Sequence, residues 1–210
     1  NHNCPGDVGH DFHFSASPLL ATLADGTDVL IATQKSGFGY ALDPDNDGRT
    51  LWTYQWGVGS PVGGVWGATA DLDTAYFAVA DRFTDRPGGV HAVDIATGEQ
   101  KWFAPPPEAL CESRPGCGTA QSAALTSIPG VVFSGSADGG IRAYEASSGD
   151  VIWTFDTNPA FDTVNGITAN GGSMDGPGAV VAGGMLFVTS GNGGIVGTPG
   201  NLLLAFGLPD

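Results

Sequence analysis

Apolar residues alternate with small or polar ones in short runs along this chain. Phe38, Tyr40 and Leu42 share one face of such a run, which is the two-residue period of a half-buried strand. Apolar, β-branched runs at 29–34, 75–80, 131–135 and 185–190 read as further strands, and no helical period lasts three turns. The predicted protein is all-β.

The pattern also recurs. Gly, three residues, Ala, one residue, an acid, a turn, Gly, three residues and Trp appear at Gly37, Ala41, Asp43, Gly48 and Trp52. The same order returns at Gly88, Ala92, Asp94, Gly98 and Trp102, and at Gly139, Ala143, Glu145, Gly149 and Trp153. A degenerate copy follows at Gly200 and Ala205. Each copy reads as a β-hairpin whose turn is built from Asp, Asn, Thr or Ser and Gly. A strand ahead of each hairpin, and Gly-rich segments further upstream (63–70, 122–126 and 171–181), bring the count to four short strands per repeat. With a period of about 50 residues, that is the size of a propeller blade. The expected fold is a β-propeller of about four four-stranded blades, ending near 52, 102 and 153 with a closing strand near 206. Four blades lie at the lower limit of ring closure. Residues 1–210 therefore read as one partial propeller belonging to a larger ring. Its open strand edges predict poor solubility or self-association for the segment alone.

Composition narrows the partners. Glycine fills 34 positions and proline 14, and Lys+Arg number 7 against 22 Asp+Glu, a formal charge of −15. Counterion release needs clustered cations, so nucleic acid is excluded as a partner, and anionic membrane surfaces fail on the same sign. No apolar run approaches the ~20 residues of a bilayer span. The 41% hydrophobic content still places the chain among folded proteins. A start at Asn1 without methionine or signal peptide reads as a processed or partial product. Cys111 and Cys117 bracket the loop CESRPGC, where a disulfide worth ~2–2.5 kcal/mol and two free thiols both stay open. A bridge would place the chain in an oxidising compartment, periplasmic or secreted, and leave Cys4 over.

Few residues offer chemistry. Lys35, one of two lysines, ends a strand just before a Ser-Gly turn; it serves an anionic ligand or simply charges an edge. Asp11, in GHDFHFSASPLL, is either a solvated turn acid or a base. His2, Cys4, Asp7, His10, Asp11 and His13 contain zinc-type donors but no second regular pair, so no metal site is assigned there. Asp43, Asp45, Asp47 and Gly48 open like a calcium loop, yet Tyr54 stands where the bidentate Glu belongs, so an elaborated turn is the better reading. Trp66, Gln121 with Ser122, and Asn165 lie on the Gly-rich inner segments. They face the channel or serve as ordinary satisfied structural groups.

The Ala-x-Asp-x3-Gly-x3-Trp signature resembles the tryptophan-docking motif of quinoprotein dehydrogenases, eight-bladed propellers that bind pyrroloquinoline quinone (PQQ). ATQKSGFGYALDPDNDG, AQSAALTSIPGVVFSGSADG, TVNGITANGGSMDGPG and GMLFVTSGNGG are similar to the carboxy-terminal half of polyvinyl-alcohol-dehydrogenase-like quinoproteins. The resemblance implies a PQQ-dependent alcohol dehydrogenase acting on secondary alcohols, polymeric ones included, with Ca²⁺ as Lewis acid and an electron acceptor of cytochrome c type. It implies that Lys35 contacts the quinone oxygens and that Asp11, followed by Phe12, takes the alcohol proton, although His13 and Ser15 depart from the family's usual acid and glycine. Trp66 would stack on the quinone, with Gln121 and Asn165 as neutral hydrogen-bonding groups. The calcium ligands would come from blades outside this segment, which is therefore expected to be inactive alone. A non-catalytic periplasmic scaffold built from the same repeats is the alternative.

Overall fold

The computed structural model describes residues 9–61, 66–112, 114–192 and 197–208. Antiparallel strands follow one another in sequence order. The first sheet holds β1 (Leu19–Thr22), β2 (Asp28–Gln34), β3 (Phe38–Asp43) and β4 (Arg49–Gln55). The second holds β5 (Thr69–Ala70), β6 (Thr74–Ala78), β7 (Val90–Asp94) and β8 (Gln100–Ala104). The third holds β9 (Thr126–Ile128), β10 (Val131–Gly135), β11 (Gly140–Glu145) and β12 (Val151–Asp156). A separate hairpin of β13 (Ala160–Asp162) and β14 (Thr168–Asn170) precedes a last sheet of β15 (Val180–Ala182), β16 (Met185–Asn192) and β17 (Pro199–Gly207). In that sheet β17 holds the place of β3, β7 and β11, so it counts three strands rather than four among the described residues. The described parts of the Gly-rich inner segments lie mostly outside strands, with strand only at their ends.

Four of the five repeated positions have a common mechanical reason. Ala41, Ala92 and Ala143 pair directly with Trp52, Trp102 and Trp153, and the register slips immediately after each alanine. Such a bulge adds local twist and re-aims the strand. Here it turns the indole onto the next sheet. Trp52 Nε1 donates to the Ile95 carbonyl (2.7 Å) and Trp102 Nε1 to that of Ala146 (2.9 Å). The glycine of the receiving turn is required twice over. Gly98 and Gly149 have φ of +75° and +78°, and a Cβ on either would sit 2.6 Å from the docked ring of Trp52 or Trp102. The acid's backbone carbonyl closes each turn, accepting the N–H of Gly48 (3.0 Å), Gly98 (2.8 Å) and Gly149 (2.8 Å).

The sheets therefore stack side by side around their first strands. β1 touches β5, β5 touches β9, and β9 touches β15. Hydroxyls tie this hub together: Thr69 Oγ1 bonds Ser127 Oγ (2.8 Å), which donates to the Ala70 carbonyl (3.1 Å), and Thr126 Oγ1 donates to that of Ala179 (2.5 Å). Apolar cores fill the wedges between sheets, with Ile31 and Trp52 against Phe77 and Ile95, then Tyr76 and Trp102 against Val132 and Tyr144. Ile141, Met174, Leu186 and Val188 fill the third wedge. Because strands alternate in direction, the β2–β3, β6–β7 and β10–β11 turns and every sheet-to-sheet connector lie at one end. The β1–β2 and β3–β4 turns and their counterparts, including Asp43–Gly48, lie at the other.

Candidate functional site

The connector end carries the chemistry. Lys35 directly follows β2; its side chain is only 10% exposed, and its Nζ donates to Asp11 Oδ2 at 3.0 Å across 24 residues of chain. Backbone bonds fix that approach, with Lys35 N–H to the His13 carbonyl (3.3 Å) and Ser60 N–H to the Lys35 carbonyl (3.2 Å). The other Asp11 oxygen meets His13 Nδ1 at 2.6 Å. Hydrogen bonds from His13 and then Lys35 hold the Asp11 carboxyl below its ordinary value, and the group stays open to solvent. His13 thus partners Asp11, a role that sequence reading missed because it registered as a zinc-type donor and as a departure from the family pattern.

Trp66 sits on the first connector, 46% exposed, and its Nε1 donates to Asp175 on the third connector at 2.7 Å. Between them the connectors are laced by Leu125 N–H to the Gly67 carbonyl (3.2 Å) and Ala124 N–H to that of Gly176 (3.0 Å). The indole therefore reaches past the middle connector at the mouth of the hub. Ser122 Oγ on that middle connector is buried without a hydrogen-bond partner among the described residues. Gln121 lies elsewhere in character: fully buried, it accepts from Gly89 N–H (2.6 Å) and donates to Ser134 Oγ (2.9 Å) and Tyr144 OH (2.8 Å). Its amide ties the second sheet to the third. Asn165 occupies the exposed β13–β14 turn, accepting from the Thr163 hydroxyl and from Ile167 N–H. The structure thus joins Asp11 to Lys35 and Trp66 to Asp175, and sets Gln121 and Asn165 in separate networks.

A disulfide joins Cys111 and Cys117. The loop it closes packs onto buried charge: Arg82 donates to the Gly116 carbonyl (2.7 Å), and Leu110 N–H donates to Asp138 (3.0 Å). Asp138 also binds Arg142 at 2.6 Å, both side chains being essentially inaccessible. Burial pushes the Asp138 carboxyl up, but the Arg142 guanidinium, Ser136 hydroxyl and Gly140 N–H together hold it below its ordinary value. Cys4, His2 and Asp7 lie outside the described residues. Among the described residues no three His, Cys, Asp or Glu side chains are grouped to hold a metal ion. Asp43 spends its carboxylate on Asp45 N–H (3.2 Å) and Arg49 (3.3 Å), in keeping with a turn. No helix of the described residues is long and apolar enough to cross a membrane.

Residues 34–170 match the PQQ-repeat family model described as outer membrane protein assembly factor BamB. The chain belongs to this family. Its sequence is 44% identical to a polyvinylalcohol dehydrogenase of Pseudomonas sp over 97% of this chain, and 42% identical to that of Sphingopyxis sp. strain 113P3 over 97%. In both cases it spans about a third (34%) of the relative's length. The solved quinohemoprotein alcohol dehydrogenase ADHIIG of Pseudomonas putida HK5 superposes with a TM-score of 0.61 at 20% identity, covering 87% of this chain and 29% of that one. The fold expectation is thereby met: this is a PQQ-type propeller arrangement.

Proposed function

We propose that this chain is the hub-forming portion of a PQQ-dependent alcohol dehydrogenase that oxidises secondary alcohols, polymeric ones included, in an eight-bladed ring completed by other blades. The observation that carries the reading is the Asp11–Lys35 pair, a solvent-open carboxylate joined to a nearly buried ammonium at the connector end of the hub. The relatives' names supply the reaction class.

The residues fit an anionic, planar quinone. Lys35 offers a cation with little freedom to move, Trp66 a flat and partly exposed indole, and Ser122 a hydroxyl with no partner among the described residues. When bound, PQQ supplies the carbonyl carbon that accepts a hydride. Asp11 is ionised at neutral pH and accepts the hydroxyl proton of the alcohol. A ligand oxygen that takes over the Lys35 ammonium removes one of the two donors depressing the Asp11 carboxyl, which restores basicity to Asp11. Trp66 is held in plane by Asp175, so stacking costs little further ordering. The described residues supply no calcium ligand set, and no step is assigned to that ion; its ligands, like a periplasmic location and a cytochrome-type acceptor, belong to the whole protein.

The scaffold reading draws support from the description of the matched family. It leaves the Asp11–Lys35 pair without a task. Dye reduction by the full-length protein with PQQ, Ca²⁺ and a secondary alcohol separates the two. Turnover abolished by Asp11→Asn supports the dehydrogenase, and absence of turnover under all loading conditions supports the scaffold.

A further inference from the structure

Between the first and second sheets, at the same connector end, lies a partly open groove of about 670 Å³. That is the size of an ordinary small-molecule site. Its exposed apolar wall is the 44%-exposed ring of Phe103, which stacks on His91 at 4.3 Å between centroids, over a floor of buried Trp56 and Val79. Burial pushes the His91 imidazole down to about 4, so this stacked wall is uncharged at neutral pH. The polar rim is Asp85 and Arg86, with Asp81 buried beneath it. Asp81 is 1% exposed and accepts the N–H groups of Val58 (2.7 Å) and Gly59 (3.2 Å), pinning the connector to the β6–β7 loop as one edge of the groove.

The groove runs up to the turn that bears Lys35. The Gly37 carbonyl accepts the N–H groups of Trp56 (2.8 Å) and Gly57 (3.1 Å). A Cβ at Gly37 would lie 2.5 Å from the Gly57 oxygen, and one at Gly57 would lie 2.7 Å from Asp81 Oδ2. Glycine on both sides is what lets these two backbones approach so closely.

We propose that this groove binds a run of an uncharged polyhydroxylated chain beyond the carbinol presented to Asp11 and Lys35. The inference rests on the dehydrogenase reading above and names where its polymer is held. An alternating hydrocarbon and hydroxyl chain offers C–H faces to the exposed ring of Phe103 and hydroxyls to Asp85 and Arg86, which can accept and donate respectively. A net charge of −15 disfavours an anionic polymer in the same place.

The test uses the full-length protein with Phe103→Ser and Arg86→Ala, neither of which touches the Asp11–Lys35 pair. Binding of poly(vinyl alcohol) to the cofactor-free protein is measured by calorimetry, with poly(ethylene glycol), which lacks hydroxyls along its chain, as control. KM and kcat are then measured for poly(vinyl alcohol) and for 2,4-pentanediol. The expected result is polymer affinity about tenfold weaker in Phe103→Ser, polymer KM raised by a similar factor, and unchanged kinetics for the diol. Unchanged polymer binding in both variants, or equal losses for polymer and diol, overturns the groove assignment. A protein that oxidises no alcohol but binds the polymer through Phe103 keeps the groove and refutes the dehydrogenase.

Discussion

Placing a methyl group at Gly149 tests how neighbouring sheets are locked together. Gly149 carries φ +78°, and its added Cβ would lie 2.6 Å from Trp102 Cε3, inside the docked indole. Gly48 occupies the same place in the first repeat, at φ +69°, but has no heavy atom within 4 Å of its would-be Cβ. Alanine at Gly48 should therefore cost only the left-handed backbone strain, about 1 kcal/mol. Alanine at Gly149 pays that strain plus the overpacking of a filled interface, a further ~1–3 kcal/mol. The two variants differ by the docking alone. In a Trp102→Leu background the ring is gone, and Gly149→Ala should fall back to about 1 kcal/mol, a coupling of ~1–3 kcal/mol between residues 47 positions apart in sequence. Urea unfolding of the four proteins and the wild type, followed by far-UV circular dichroism, gives the energies. Equal losses at Gly48 and Gly149, or strict additivity with Trp102→Leu, would refute the docking explanation of the repeat.

Acid and charge removal give two further tests. His91 has its imidazole pushed down to about 4 by burial, against an ordinary value near 6.5. The unfolded chain therefore binds the extra proton first, and the stability His91 contributes is complete above about pH 6.5 and lost as pH falls towards 4, by up to ~3 kcal/mol. His91→Phe should flatten the urea midpoint between pH 6.5 and 4.5; an unchanged slope would contradict this. Arg142→Ala strands the buried Asp138 carboxylate and should cost ~3–5 kcal/mol, whereas Arg142→Met with Asp138→Asn, which removes the charge and keeps an acceptor for the Gly140 N–H, should recover part of it. Equal unfolding midpoints for the single and double variants would argue against the pair.

The blade plan was open to sequence reading because each repeated position has a backbone or packing consequence at constant spacing. Ala faces Trp, the acid's carbonyl closes the turn, and Gly receives the preceding indole. The β13–β14 hairpin escaped notice because it falls between repeats and carries only a short Thr-Ala-Asn strand. Asp11 and Lys35 came into view through family likeness. Nothing in a separation of 24 residues announces a 3.0 Å contact. Gln121 and Ser122 are neighbours with equivalent sequence signals but opposite fates, since the amide meets Ser134 and Tyr144 across a sheet boundary while the hydroxyl meets no described partner. That difference depends on which sheet arrives alongside, information no local pattern contains. Asp175 went unnoticed for the same reason, its partner Trp66 lying 109 residues away.

The most direct test of the account is reduction of bound quinone by a secondary alcohol, followed by rapid-mixing absorbance in the PQQ- and Ca²⁺-loaded full-length protein with Asp11→Asn and Lys35→Ala. The account expects Asp11→Asn to bind PQQ as the wild type does and to lose reduction by at least about a hundredfold, the usual contribution of a general base. It expects Lys35→Ala to weaken PQQ binding itself. Wild-type reduction rates in Asp11→Asn, together with unaltered PQQ affinity in Lys35→Ala, would contradict it.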